Sequence, residues 1–116
     1  MEPYATADQV WAGGLIFARI GAIMMMMPGF GESYVPPRIR LALALLVSLV
    51  VWPVVAGALP ALPSSIGGMA GWVLREVITG LMIGGLLRAF MTALSTAGEV
   101  VSMQTTLSFA QTANPL

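Results

Sequence analysis

In a chain of 116 residues, 58% are apolar and 9% charged, with no net charge. A water-soluble domain carries about a quarter charged residues, so this composition and a mean hydropathy of +0.90 point to a membrane protein. The absence of Cys and His excludes disulfide frameworks, thiolate and imidazole chemistry and the usual zinc and haem sites, so neither an enzyme nor a cofactor is expected. There are five arginines and no lysine, and the five acids are spread singly, which leaves no basic run for nucleic acid and no acidic tail.

The first residues carry Glu2 and Asp8 but no basic residue, so no cleaved signal is expected. A first apolar helix is predicted from about Val10 to Met27, capped by Thr6 or Asp8 and ended by Pro28, Gly29 and Gly31. Arg19 falls in its middle, where insertion into lipid costs about 2.5–3.5 kcal/mol. It either packs against protein or snorkels, or it belongs to a conduction path. Gly14, Ala18 and Ala22 make a small-residue face beside it that suits close helix packing. Met24 to Met27 reads either as the apolar end of the span or as a deformable seal.

Residues 28–40 form a loop whose Pro36-Pro37 favours extended backbone, with Pro37 suited to open the next helix. Arg38 and Arg40 place this loop in the cytoplasm by the positive-inside rule, and the N-terminus outside. A second span, Leu41 to about Leu59, carries no charge and is kinked or ended near Pro53. A Pro-, Ser- and Gly-rich turn follows from Pro60 to Gly68.

The third apolar stretch covers residues 66–103. As one helix it would run about 57 Å, against a hydrocarbon core of about 30 Å. Either the helix breaks, at Gly84-Gly85 or at Gly98, or part of it lies outside the hydrocarbon; two helices are predicted. Gly80 and Gly84 stand four apart and give one face on which another backbone can come close. Arg75 and Glu76 are adjacent and point to different sides. Arg88 and Glu99, eleven apart, lie on nearly one side about 16 Å from one another. Such charges face protein or water, and pairing across interfaces is the structural use expected of them. The expected class is all-α: an integral membrane protein of three to four apolar helices in kinked hairpins.

Thr96-Ala97-Gly98-Glu99, Gln104, Leu107-Ser108-Phe109-Ala110 and Pro115 resemble the FliR family of flagellar type III export-gate subunits. Phe17-x-Arg19, Met27-Pro28 with Gly29 and Gly31, Val35-Pro36 with Arg38 and Arg40, and Ile83-Gly84-Gly85 before Arg88 agree with it. This chain has Thr105-Thr106 where the family usually has a methionine-glycine pair, and Asn114 where it has an acid. Family members are longer, so the chain resembles an N-terminal portion. The resemblance implies a part of a larger helical assembly in the bacterial inner membrane, at the flagellar basal body. It implies P-type and Q-type gate subunits and the B-type switch protein as partners, and unfolded flagellar proteins as substrates.

The polar run after Gln104 is expected to be an irregular loop that lines or plugs an aqueous conduit. By resemblance the plug role falls on Gln104, Leu107, Ser108, Phe109, Ala110 and Pro115. A frayed tail is the structural alternative for the same run. Two other readings of the whole chain remain open: a fragment of an ion or small-molecule transporter using Arg19, Arg88 and Glu99, and a structural membrane scaffold.

Overall fold

The computed structural model describes residues 6–29, 31–105 and 107–113. They form helices α1 (Ala7–Met26), α2 (Pro37–Val55), α3 (Ile66–Gln104) and α4 (Leu107–Ala113), with a 3-10 turn at Ala56–Ala58. The first three are long and apolar enough to cross a membrane, and there is no strand among the described residues.

Each boundary has a local cause. Thr6 accepts a hydrogen bond from the Gln9 amide while the Gln9 side chain accepts one from the Thr6 amide, a reciprocal cap that starts α1. Asp8 instead accepts from the Leu62 amide at 3.3 Å and ties the start of α1 to the turn before α3. The helix ends at Met27, and Gly29 follows with φ of 91°, a left-handed conformation that favours glycine. Pro37 sits in the first turn of α2, where its missing N–H has no helical partner to lose. Pro53 lies inside α2 and does not end it; the helix runs on to Val55 before tightening into the 3-10 turn. Ser65 accepts from the Gly68 amide and caps α3.

Helix α1 is central. Leu15 is fully buried, and Ala12, Ile16 and Ala22 are nearly so. On one side lies α2, presenting Ala44 and Ser48, both buried, with Trp52 a turn further along and in contact with Gly13. The Ser48 hydroxyl donates to the Ala44 carbonyl at 2.6 Å, so no polar atom of it faces the apolar contact unpaired. On the other side lies α3, parallel to α1: Arg19 meets Glu76, Ile23 meets Gly80, and Met26 meets Gly84.

The predicted division of the third stretch is not found. Residues 66–104 make one helix of 39 residues. Glycine costs about 1 kcal/mol per residue in a helix interior and proline about 3; this stretch holds glycines but no proline, and its Leu, Met and Ala positions outweigh them. Gly84, the expected break, lies against α1, which holds its backbone in place. The helix instead outruns its partner. Beyond Arg88, residues 89–104 are exposed almost throughout, although Phe90, Met91, Leu94, Val100, Val101 and Met103 are apolar. The molecule is accordingly a rod of 70 × 24 × 22 Å.

The expected irregular segment after Gln104 also differs. Thr105 closes α3 by donating its amide to the Val101 carbonyl at 3.0 Å, and Leu107–Ala113 then form a short helix. Leu, Ala and Gln are good helix formers, and they offset the Ser and Thr that suggested a loop. Pro115 lies outside the described residues.

Candidate functional site

The charged residues fall into three groups along α3. The first is an ion pair between neighbouring helices. The Arg19 Nη2 donates to Glu76 Oε1 at 3.1 Å, and its Nε lies 2.6 Å from Oε2. The Nε makes no aligned hydrogen bond, so its approach to Oε2 is a close charge contact and the Nη2 bond is the aligned one. The pair is lopsided: the Glu76 side chain is 9% exposed and the Arg19 side chain 43%. Removing Glu76 from water is tolerable only because the guanidinium meets both its oxygens. These two charges therefore find each other within the chain, where sequence reasoning assigned such groups to neighbouring proteins.

Just C-terminal to this pair the helices come closest. A Cβ on Gly80 would lie 2.5 Å from the Arg19 carbonyl oxygen and 2.7 Å from the Ala22 Cβ. One on Gly84 would lie 2.8 Å from the Met26 Cβ and 2.9 Å from the Ile23 carbonyl oxygen. No other residue type fits at these two positions without moving α1, and the proximity holds the Arg19 and Glu76 backbones in register.

The second group surrounds Arg88. Its Nε donates to the Met26 carbonyl at 2.9 Å and its Nη2 to the Gly31 carbonyl at 3.1 Å, with Glu32 at 3.6 Å. A cation thus satisfies the orphan carbonyl at the C-terminus of α1, where the helix dipole is negative. Arg40 works on the same loop from α2, donating to the carbonyls of Glu32 and Val35 at 2.7 and 2.8 Å. The loop between α1 and α2 is therefore held by one arginine from α2 and one from α3. Sequence reasoning singled out neither Glu32 nor Gly31 for this; the only hint was an acid and a glycine in the loop, with no indication of their partner on α3.

The third group is Arg75, which turns away from Glu76 and lays its guanidinium over the Trp72 ring, 5.1 Å from the centroid. Arg19, Arg75, Glu76 and Trp72 line one side of a cavity of about 610 Å³ between α2 and α3, walled by α1. Glu99 has no ion-pair partner among the described residues. Gln104 ends α3, Ala110 is exposed on α4, and Leu107, Ser108 and Phe109 have helical backbone.

This geometry does not join Arg19, Arg88 and Glu99 into one path. Arg19 is committed to Glu76 and Arg88 to the loop carbonyls, while Glu99 lies three turns further along an exposed helix. Nor do acids or other ligating groups gather in a cluster able to hold a metal ion among the described residues.

The chain is 55% identical over 115 residues to the flagellar biosynthetic protein FliR of Caulobacter vibrioides, an alignment covering 99% of this chain and 46% of that protein. It thus spans less than half the length of the curated relative it matches. No solved structure matches it. The family described as bacterial export proteins, family 1, matches residues 10–116, and with nearly the whole chain covered, this protein belongs to that family.

Proposed function

We propose that the chain is part of a subunit of the flagellar type III protein export gate, embedded in the bacterial inner membrane at the flagellar basal body. The observation that carries this is the 55% identity to FliR across nearly the whole chain. The structure supports it from another direction. A helix segment of 16 residues, 89–104, with Phe90, Met91, Leu94, Val100, Val101 and Met103 exposed, has neither α1 nor α2 packed on it among the described residues, as a subunit of a larger assembly would leave it.

In this reading P-type and Q-type gate subunits cover that segment, the B-type switch protein meets the assembly, and unfolded flagellar proteins are the cargo. The chain contributes framework and closure and no bond-making chemistry. Glu99, Gln104 and helix α4 with Leu107, Ser108, Phe109 and Ala110 lie beyond the last contact with α1, and closure of the conduit is assigned to that end together with Pro115, which lies outside the described residues.

Exchange of segments tests the proposal. The matching portion of the Caulobacter relative is replaced by this chain, and swimming and flagellin secretion are scored in a strain lacking the relative. Restored secretion supports the gate reading; an assembled, membrane-inserted chimera without secretion overturns it. Deleting Ser108 to Ala113 from the same chimera tests closure. A plug gives an ion leak on deletion, whereas a plain scaffold gives none.

A further inference from the structure

The cavity between α2 and α3 carries an unbalanced charge in apolar surroundings. It contains Arg19, Arg75 and Glu76, two cations against one anion. Glu76 is consumed by Arg19, and no carboxylate among the described residues is within ion-pair distance of Arg75. The remaining walls include Ile16, Ile20, Val51 and Val55, and the rim is formed by Leu59 and Pro60. A site of this make-up suits a ligand with an anionic head and an apolar tail.

Its depth identifies the source of that anion. Trp11 donates to the Pro60 carbonyl at 3.1 Å, Trp52 lies against Gly13, and Trp72 is one turn before Glu76. By the register of α1 on α3, the three tryptophans occupy a band about 6 Å tall at one end of the helices. Tryptophans collect at membrane–water boundaries. Arg75 starts one turn inside that band and its guanidinium reaches back over Trp72 toward it, the posture of a cation drawn to the headgroup level.

We propose that this cavity binds an anionic phospholipid, with its phosphodiester on Arg75 and the exposed side of Arg19 and the first carbons of one acyl chain along Ile16, Ile20 and Val51. Arg75 is free to make this contact because its neighbour Glu76 turns the other way, and Trp72 holds the guanidinium in place. The site is independent of the export reading: secretion can fail with lipid binding intact, and the reverse.

The test is native mass spectrometry of the full chain released from nanodiscs with equal phosphatidylglycerol and phosphatidylcholine. The expected result is a preference for retained phosphatidylglycerol of about five-fold, the effect of one basic residue near a membrane surface. Arg75→Gln should bring the ratio to about one and Arg75→Lys should keep most of it. Arg38→Gln, at the opposite end of the bundle, should leave it unchanged. Val51→Trp, which fills the cavity and keeps every charge, should also abolish the preference. Circular dichroism matching the parent chain shows that each variant folds. A parent ratio of one, or a ratio untouched by both Arg75→Gln and Val51→Trp, overturns the proposal. Loss of bound lipid to added inorganic phosphate would show that Arg75 holds any oxyanion, and a protein carboxylate cross-linked to Arg75 in its place would show an acidic partner; either overturns the lipid assignment.

Discussion

Replacing Glu76 with Gln leaves the Arg19 guanidinium beside a neutral amide at a buried position. Breaking a fully buried pair costs about 3–5 kcal/mol. Arg19 is substantially exposed, so screening lowers the expected loss to about 1–2 kcal/mol, measured by unfolding in detergent. The double variant Arg19→Met with Glu76→Leu should recover most of that loss, since no charge is then stranded. The glycines make a sharper contrast. Gly80→Ala should cost about 1–3 kcal/mol because its methyl would press on α1 backbone, whereas Gly98→Ala, with open space around it, should stabilise by about 0.5–1 kcal/mol. The same unfolding assay checks both signs. The spacing of Gly80 and Gly84 is readable in the sequence because a small-residue face is a local pattern. The partner of Glu76 is not, because Arg19 lies 57 positions away and its approach depends on how two intervening turns return the chain.

At the level of elements, the all-α class and the three apolar helices are legible from hydropathy alone, and the capping residues and Pro37 foretell most of the starts. The length of α3 is not. Bilayer thickness sets how much of a helix lipid can cover, not how long a helix can be, and nothing in residues 66–104 interrupts the backbone hydrogen bonds. Spin labels at positions 70 and 100 measure the outcome. An unbroken helix separates those positions by about 45 Å along its axis, and double electron–electron resonance should give one narrow distribution near that value. A bend at Gly84-Gly85 would shorten and broaden it. The conformation after Gln104 is hidden for another reason: polarity suggests a loop, yet the Leu, Ala and Gln of residues 107–113 favour helix.

For the molecule as a whole, the loop that ends at Pro36 and the turn at Ser64 and Ser65 lie at opposite ends of α2, and Arg38 and Arg40 stand in the first turn of that helix rather than in the loop expected over residues 28–40. The sequence has no native cysteine, so single cysteines can be introduced without background. Ser33→Cys should react with an impermeant maleimide from the cytoplasmic side only, and Ser64→Cys from the other side only. Labelling of both from one side would show that α2 does not cross. Composition sufficed to place the chain in a membrane, and the resemblance sufficed to name a family. The division of the rod into a tied half and a projecting half was beyond both, because it follows from α1 ending at Met27 while α3 continues.

That projecting half has no hinge between Arg88 and Gln104, so its rotational setting is inherited entirely from the clasp of Gly80 and Gly84 on α1. One residue inserted after Ala89 would leave the clasp intact yet swing Glu99 and all that follows by about 100° around the axis and carry it outward by about 1.5 Å. The azimuth of the distal tip is thus dictated from more than two turns away, by two missing methyl groups.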